Sequence, residues 1–168
     1  GGKYTTYRIM GKDVIDLAAK DLRRIVAESV TDKLPIIGAD GFFALQQQVT
    51  QLSEISGLSE SSISHLLNRY GSLISELLSI ISEDKNLAEP LTPELPYLKA
   101  EVIYSVTHEG AQSVDDVLSR RTRIAFEASD GGESLALPVA TLIAPISTEA
   151  LGVNSVSSNL SKNAMAFA

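Results

Sequence analysis

The first residues of the chain, GGKYTTYRIM, combine residue types that are typical of a loop closing on a ligand. Gly1 and Gly2 let a backbone approach a bound group closely, because they have no side chain. Lys3 can supply a positive charge, and the threonines and tyrosine that follow carry hydroxyl groups. Nothing in the chain precedes this segment to complete a pocket. It is expected to be either an unusual amino terminus or the edge of a larger site.

A second candidate is the segment at residues 50–71, TQLSEISGLSESSISHLLNRYG, which has helix-turn-helix spacing with its turn at Gly57. DNA binding depends on Lys and Arg side chains that neutralise phosphates. The second helix of the segment offers Arg69 and His65 but also carries Glu60, and the chain has a net charge of −7. The electrostatics therefore disfavour nucleic acid as a partner. Two packed helices joined by a glycine turn are the favoured interpretation.

Metal chemistry has little support in the sequence. The chain has two histidines, His65 and His108, and the pair His108-Glu109 lacks the second histidine of a zinc-protease helix. The absence of cysteine excludes disulfides, thiolate zinc sites and iron–sulfur clusters. The sequence therefore predicts no metal site.

A basic cluster, RRTR, occupies residues 120–123. Such clusters usually form a solvated face or pair with neighbouring acids. Binding of a ligand is the alternative role for this one.

Apolar periodicity predicts helices in the first half of the chain. The first is expected over residues 13–30, followed by a connector over 31–40 that contains proline and glycine. Further helices are expected over 42–56, 59–70 and 72–84.

The second half begins with a proline-rich linker over residues 90–97, which forbids a continuous helix. A helix is expected over 97–110, and the Ser-x-x-Asp signature at 113–116 predicts a cap in front of a helix over 117–128. The turn SDGG then leads to a last helix over 133–150.

Composition and pattern together define the fold class. The chain has 168 residues, 44% hydrophobic and 21% charged, which suits one acidic globular domain. Its apolar stretches are shorter than about 18 residues, so no membrane-spanning helix is expected. No stretch alternates apolar and polar residues in the manner of a strand. We predict an all-α fold, an orthogonal bundle of about six to seven helices preceded by a short extended segment.

Five blocks of sequence add a family resemblance: GGKYTTYRIM (1–10), LPIIGADG (34–41), HLLNRYGS (65–72), PLTPELPYLKAEVIYSVTHEGA (90–111) and DDVLSRRTRIAFE (115–127). Their order and spacing resemble the carboxy-terminal part of FAD-dependent (aerobic) glycerol-3-phosphate dehydrogenase. The resemblance covers most of the chain up to about residue 150 and includes the helix-turn-helix look-alike.

The resemblance implies that the intact enzyme oxidises glycerol 3-phosphate to dihydroxyacetone phosphate by passing hydride from the substrate C2 to the flavin N5. Electrons then reach a membrane quinone, or oxygen in a related branch. The implied location is the cytoplasm, with peripheral attachment to the inner face of the membrane. The chain contains no G-x-G-x-x-G motif, so an FAD domain is expected to precede it as its partner. The fragment alone is expected to hold no FAD and to be inactive.

By the same resemblance, the segment GGK-x-TTYR passes the isoalloxazine ring and enters a long helix. Gly1, Gly2, Lys3 and Thr5 are the implied cofactor-binding residues of the intact enzyme. Lys3 is also the implied catalytic residue, through its charge beside the reduced flavin or through the substrate. The N–H groups at a helix start would favour negative charge on the reduced flavin.

The implied domain division places residues 1–30 in the final loop and helix of the FAD domain and 31–168 in an all-helical carboxy-terminal domain. The alternative for the helical domain is a protein interaction or dimerisation module, in which the chain would form homo-oligomers. The helix-turn-helix reading of residues 50–71 comes third.

Overall fold

A computed structural model describes the backbone of residues 3–150 and the side chains of residues 3–146. The chain divides into two compact units, residues 1–40 and 41–168. Across the described backbone, the regular elements are helices, with an isolated bridge between Pro90 and Leu98 in place of any strand. The all-α prediction is therefore confirmed. None of the described helices is long and apolar enough to cross a membrane.

The first unit contains a single long helix, α1, from Tyr7 to Ala19. A 3-10 turn over Tyr4–Thr6 leads directly into it, so extended backbone in the described part of the predicted opening segment is confined to Lys3. The helix predicted over 13–30 corresponds to α1, which starts six residues before the predicted start and ends eleven residues before the predicted end. An apolar stripe stabilises a helix when it packs on a core, and no described residue of this unit is buried.

The second unit begins with four helices: α2 (Phe42–Gln46), α3 (Val49–Ser56), α4 (Glu60–Tyr70) and α5 (Ile74–Glu83). The single helix predicted over 42–56 is wrong, because the chain breaks between α2 and α3. The break falls in a run of exposed glutamines that have no apolar side chain to pack.

Helix α4 has the ends that its sequence predicts. The Ser59 Oγ accepts the backbone N–H of Ser62 at 3.1 Å, which caps the first turn. Gly71 ends the helix with a φ of 58°, a conformation that residues with a side chain rarely adopt.

Three further α-helices and a π-helix complete the unit: α6 (Lys99–Thr107), the π-helix (Asp116–Arg121), α7 (Ile124–Glu127) and α8 (Ala136–Ala150). The predicted cap is confirmed: Ser113 Oγ accepts the N–H of Asp116, and the Asp116 carboxylate accepts the N–H of Ser113, both at 3.1 Å.

The continuous helix predicted over 117–128 is wrong. The backbone N–H and the hydroxyl of Thr122 both donate to the carbonyl of Val117, at 2.8 and 2.7 Å. Threonine competes in this way with regular helix hydrogen bonding. The chain leaves the π-helix at Thr122 and starts α7 afresh. The break between α2 and α3 gives eight α-helices in the described residues, where six to seven were expected, and the break at Thr122 adds the π-helix.

Helix α6 lies between two apolar clusters of the second unit. The buried members of the first cluster are Leu58, Ile63, Leu66, Leu67, Tyr70, Ile74, Leu77, Ile81, Leu98, Ala100 and Tyr104. Those of the second are Tyr97, Val102, Ala111, Val117, Leu118, Ile124, Leu135, Val139 and Ile143. Because α6 contributes Ala100 and Tyr104 to one cluster and Val102 to the other, it is apolar on two sides.

The SDGG turn between α7 and α8 is held by one carboxylate. Asp130 accepts the backbone N–H groups of Gly132 and Ser134, both at 2.9 Å. Gly132 has a φ of 85°, and a Cβ at this position would lie 3.1 Å from the Ile124 Cγ2. Glycine is therefore needed at residue 132 both for the backbone angle and for the close contact with Ile124.

We expect the Asp130 carboxyl to make folding sensitive to acid. Hydrogen bonds from the Ser134 side chain and from the backbone of Ser134 and Gly132 lower the pKa of Asp130 from 3.8 to about 2. A carboxyl whose pKa is lowered on folding stabilises the folded state above its unfolded pKa, and this stabilisation is lost as pH falls towards the folded pKa. Asp130→Asn should therefore lose stability at neutral pH and vary less with pH between 4 and 2. Urea unfolding at several pH values gives the free energy of unfolding of each protein. The same dependence of this free energy on pH in the original chain and in Asp130→Asn would contradict the prediction.

Candidate functional site

The opening segment, the first of two candidate regions, is a short turn at the start of α1. The Thr6 N–H and hydroxyl both donate to the Lys3 carbonyl, at 3.1 and 3.3 Å. This turn brings Lys3 and Thr5 together on one exposed loop. Gly1 and Gly2 lie outside the described residues.

The charge of Lys3 is available to a ligand. Its side chain is exposed, and it forms no ion pair with the described residues. The next lysine along the chain, Lys12, is instead paired with Asp16 at 2.7 Å. Lys3 therefore fits a group that carries or develops negative charge. The roles of Lys3 and Thr5 stay predictions.

The second candidate region is a buried carboxylate in the second unit, Glu101. It stands in the first turn of α6, and its side chain is fully buried. Its Oε2 accepts the backbone N–H of Leu98 at 2.7 Å, so the carboxylate caps its own helix. Negative charge is favoured at a helix start, because the N–H groups there are unpaired.

Helix α4 supplies the hydrogen-bond and ion-pair partners of this carboxylate. His65 Nε2 lies 3.1 and 3.0 Å from the two carboxylate oxygens of Glu101, and Tyr70 donates its hydroxyl to Oε1 at 3.0 Å. The Arg69 Nε lies 3.4 Å from the same Oε1. Residues 65 and 69 are one helical turn apart, which places both on the face that packs against α6.

Arg69 also fastens the π-helix to this site. Its Nη2 donates to the carbonyl of Arg121 at 2.7 Å, and its guanidinium lies 5.1 Å from the ring centre of Tyr97 and 5.7 Å from that of Tyr70. Planar guanidinium groups suit such stacked, partly buried positions. One arginine therefore links α4, α6 and the π-helix.

Burial raises the pKa of Tyr70 well above its ordinary value, and the negative charge of Glu101 adds to the rise. Tyr70 is therefore a neutral hydrogen-bond donor at any physiological pH. We call Glu101, His65, Arg69, Tyr70 and Tyr97 the Glu101 cluster. Its members bind one another closely, so their arrangement serves to position helices.

The two basic residues of the helix-turn-helix look-alike have a structural role inside the second unit. His65 and Arg69, which would have to face DNA in that interpretation, point into the protein and contact Glu101. Sequence reasoning missed Glu101 itself. The available signal was a charged residue between Ala100 and Val102, both of which are fully buried.

The other polar candidates have local partners. Arg120 of the basic cluster pairs with Asp115 and Asp116, and Arg121 donates its Nε to the carbonyl of Glu109 at 2.9 Å. The Arg120 contacts agree with the expectation that the cluster pairs with neighbouring acids, whereas Arg121 binds a backbone carbonyl. Within the described side chains, no three His, Cys, Asp or Glu residues are grouped to hold a metal ion.

Comparison with known proteins places this all-helical fold in a family. Residues 29–148 match the family model described as the C-terminal domain of alpha-glycerophosphate oxidase. The chain belongs to this family. A search of solved structures found no match.

Curated proteins with similar sequences are named as glycerol-3-phosphate dehydrogenases. The chain is 44% identical over 146 residues to glycerol-3-phosphate dehydrogenase 2 of Mycobacterium tuberculosis, covering 87% of this chain and 25% of that protein. It is 34% identical over 143 residues to a mitochondrial glycerol-3-phosphate dehydrogenase of Arabidopsis thaliana, covering 77% and 23%. It is also 34% identical over 134 residues to the glycerol-3-phosphate dehydrogenase of Synechocystis, covering 80% of this chain and 24% of that protein. The chain therefore spans about a quarter of the length of these relatives.

We expect the Glu101 cluster to dominate the stability of the second unit. Removing one partner of a buried ion pair leaves the other charge uncompensated, so Glu101→Ala should lower the free energy of unfolding by about 3–5 kcal/mol. The matched control is Glu89→Ala, because Glu89 forms an exposed pair with Lys99 at 2.6 Å. Exposed pairs contribute only about 0–1 kcal/mol. Urea unfolding followed by circular dichroism gives both values, and similar losses in the two variants would contradict the assignment.

Proposed function

We propose that this chain is the carboxy-terminal part of an FAD-dependent enzyme that oxidises glycerol 3-phosphate to dihydroxyacetone phosphate. The observation that carries the proposal is the family match over residues 29–148, together with relatives named as glycerol-3-phosphate dehydrogenases. We call the longer protein the parent enzyme. The chain supplies one edge of its active site and a helical domain.

The flavin of the parent enzyme would accept the hydride that leaves the substrate C2. The contribution that we assign to this chain is electrostatic. Gly1 and Gly2 would let the backbone approach the cofactor, and Lys3 would place a positive charge where the reduced ring becomes negative. The exposed turn that carries Lys3 and Thr5, and the lack of an ion pair to Lys3 among the described residues, support this assignment.

We further propose that the acceptor is a membrane quinone. A cytoplasmic enzyme would reach it by peripheral attachment to the inner face of the membrane. The helical second unit, which has its own two apolar clusters, would then serve as a separately packed domain joined to the flavin-binding part.

The direct test uses the parent enzyme and the 168-residue chain side by side. We expect the purified parent enzyme to be yellow and its flavin to be bleached by glycerol 3-phosphate under anaerobic conditions. The chain alone should be colourless and should not reduce a dye with this substrate. Flavin that stays oxidised in the parent enzyme with saturating glycerol 3-phosphate would refute the proposed activity.

A substitution at Lys3 tests the proposed electrostatic role. In the parent enzyme, Lys3→Met should slow flavin reduction by roughly 100- to 1,000-fold, the order of effect of losing one preorganised group that stabilises developing charge. Lys12→Met is the matched control, because Lys12 is exposed and pairs with Asp16 on α1. Stopped-flow flavin absorbance gives the rates. Equal rates in the two variants would remove Lys3 from the site.

A further inference from the structure

A groove lies between α5 and α6 of the second unit, bordered by the 3-10 turn over Lys85–Ala88. Its volume is about 480 Å³. Ligand sites typically have volumes of about 300–1,000 Å³. The floor of the groove is apolar: Ile80 of α5, Leu87 of the turn and Ile103 of α6 line it, and all three are half-buried. The groove therefore leaves apolar surface open to a partner.

The rim of the groove is acidic. Glu76 and Glu83 of α5 contribute to it, as does Asp84 directly after α5, and Glu83 and Asp84 are exposed. Among the described side chains, no lysine or arginine lines the groove, and none of these three carboxylates forms an ion pair. Glu89, in contrast, pairs with Lys99 at 2.6 Å. The negative charge of the rim is therefore uncompensated within the described part of the chain.

Neutral donors position two of the three carboxylates. The hydroxyl of Tyr104 donates to the Glu76 Oε2 at 2.6 Å, and the ring of Tyr104 stacks on His108 with 4.4 Å between the ring centres. The backbone N–H of Asn86 donates to the Asp84 Oδ1 at 2.9 Å. The charge of each carboxylate thus stays available to a cation.

We propose that this groove binds a helical segment of a partner protein that carries Lys or Arg side chains along an apolar side. The apolar stems of such side chains would lie on Ile80, Leu87 and Ile103, and their charged ends would reach the acidic rim. The interaction goes beyond the proposed function, because it does not depend on which reaction the parent enzyme catalyses.

The charge of the second unit favours a basic partner. Residues 41–168 carry fifteen acidic and seven basic side chains, so this part of the chain attracts cationic molecules. Nucleic acids and anionic membranes would be repelled by the carboxylates of the rim. A second copy of this unit would bring the same excess of acidic groups and is disfavoured for the same reason.

The rim also specifies the spacing of the partner's cations. Glu76 and Glu83 are seven residues apart on α5. Seven residues make two helical turns, or about 10.5 Å. A partner helix aligned with α5 would therefore meet both carboxylates with basic residues seven positions apart on one side.

The test measures peptide binding by fluorescence anisotropy. The same-side peptide is a fluorescein-labelled helical peptide of Ala, Leu and Lys, with two lysines seven positions apart on its leucine-bearing side. The opposite-side peptide has the same composition, but its lysines lie opposite the leucines. The 168-residue chain should bind the same-side peptide about tenfold more tightly, because only this peptide presents cations and apolar surface together.

Glu83→Lys should weaken binding of the same-side peptide by about tenfold, because it replaces an attraction with a repulsion. Lysine is favourable in the last turn of a helix, so this variant should fold, which circular dichroism checks. The matched control is Glu54→Lys, which makes the same charge change at an exposed position near the end of α3, outside the groove. Equal weakening by the two variants would indicate general charge attraction and overturn the proposal.

Four other outcomes would also overturn it. The first is failure of the chain to bind the same-side peptide, and the second is equal binding of the two peptides. The third is spermine that binds as tightly as the same-side peptide and depends equally on Glu83, which would make a small polyamine the ligand. The fourth is loss of the difference between Glu83→Lys and Glu54→Lys in the parent enzyme, which would make the preceding polypeptide the occupant of the groove.

Discussion

The architecture of the second unit depends on one buried carboxylate. Burying a charge is costly unless other groups compensate it, and Glu101 is compensated both from its own helix and from α4. The N–H of Leu98 binds it within its own helix, while His65, Arg69 and Tyr70 approach it from α4. The cost of burying this charge therefore fixes how α4 and α6 face each other.

The same constraint reaches beyond these two helices. Through its contact with the Arg121 carbonyl, Arg69 connects the carboxylate to the π-helix. Tyr97 stacks on the arginine and belongs to the second apolar cluster, whereas Tyr70 belongs to the first. The Glu101 cluster thus joins the two halves of the core, and apolar packing around α6 shields it from water.

The two units differ in how they treat their apolar side chains. The second unit buries its apolar side chains in two clusters and pairs its buried carboxylate Glu101 with His65 and Arg69. The first has no buried residue among those described, and α1 displays its apolar face outwards. A helix of this kind needs a partner to gain stability from its apolar face.

Local sequence alone determined the all-α class, the cap at Ser59, the stop at Gly71 and the reciprocal cap of Ser113 and Asp116. Each of these depends on neighbours within four residues, so the sequence contains all the needed information. The sequence blocks also determined the family. Periodicity missed the break at Thr122, which local hydrogen bonds to Val117 impose. Tertiary structure decided that α1, which has no core to pack on, ends at Ala19 rather than near Val30. It also decided that His65 and Arg69 turn inward to Glu101. The partners that compensate this buried charge lie 30 or more residues away in the sequence, so local patterns do not reveal them.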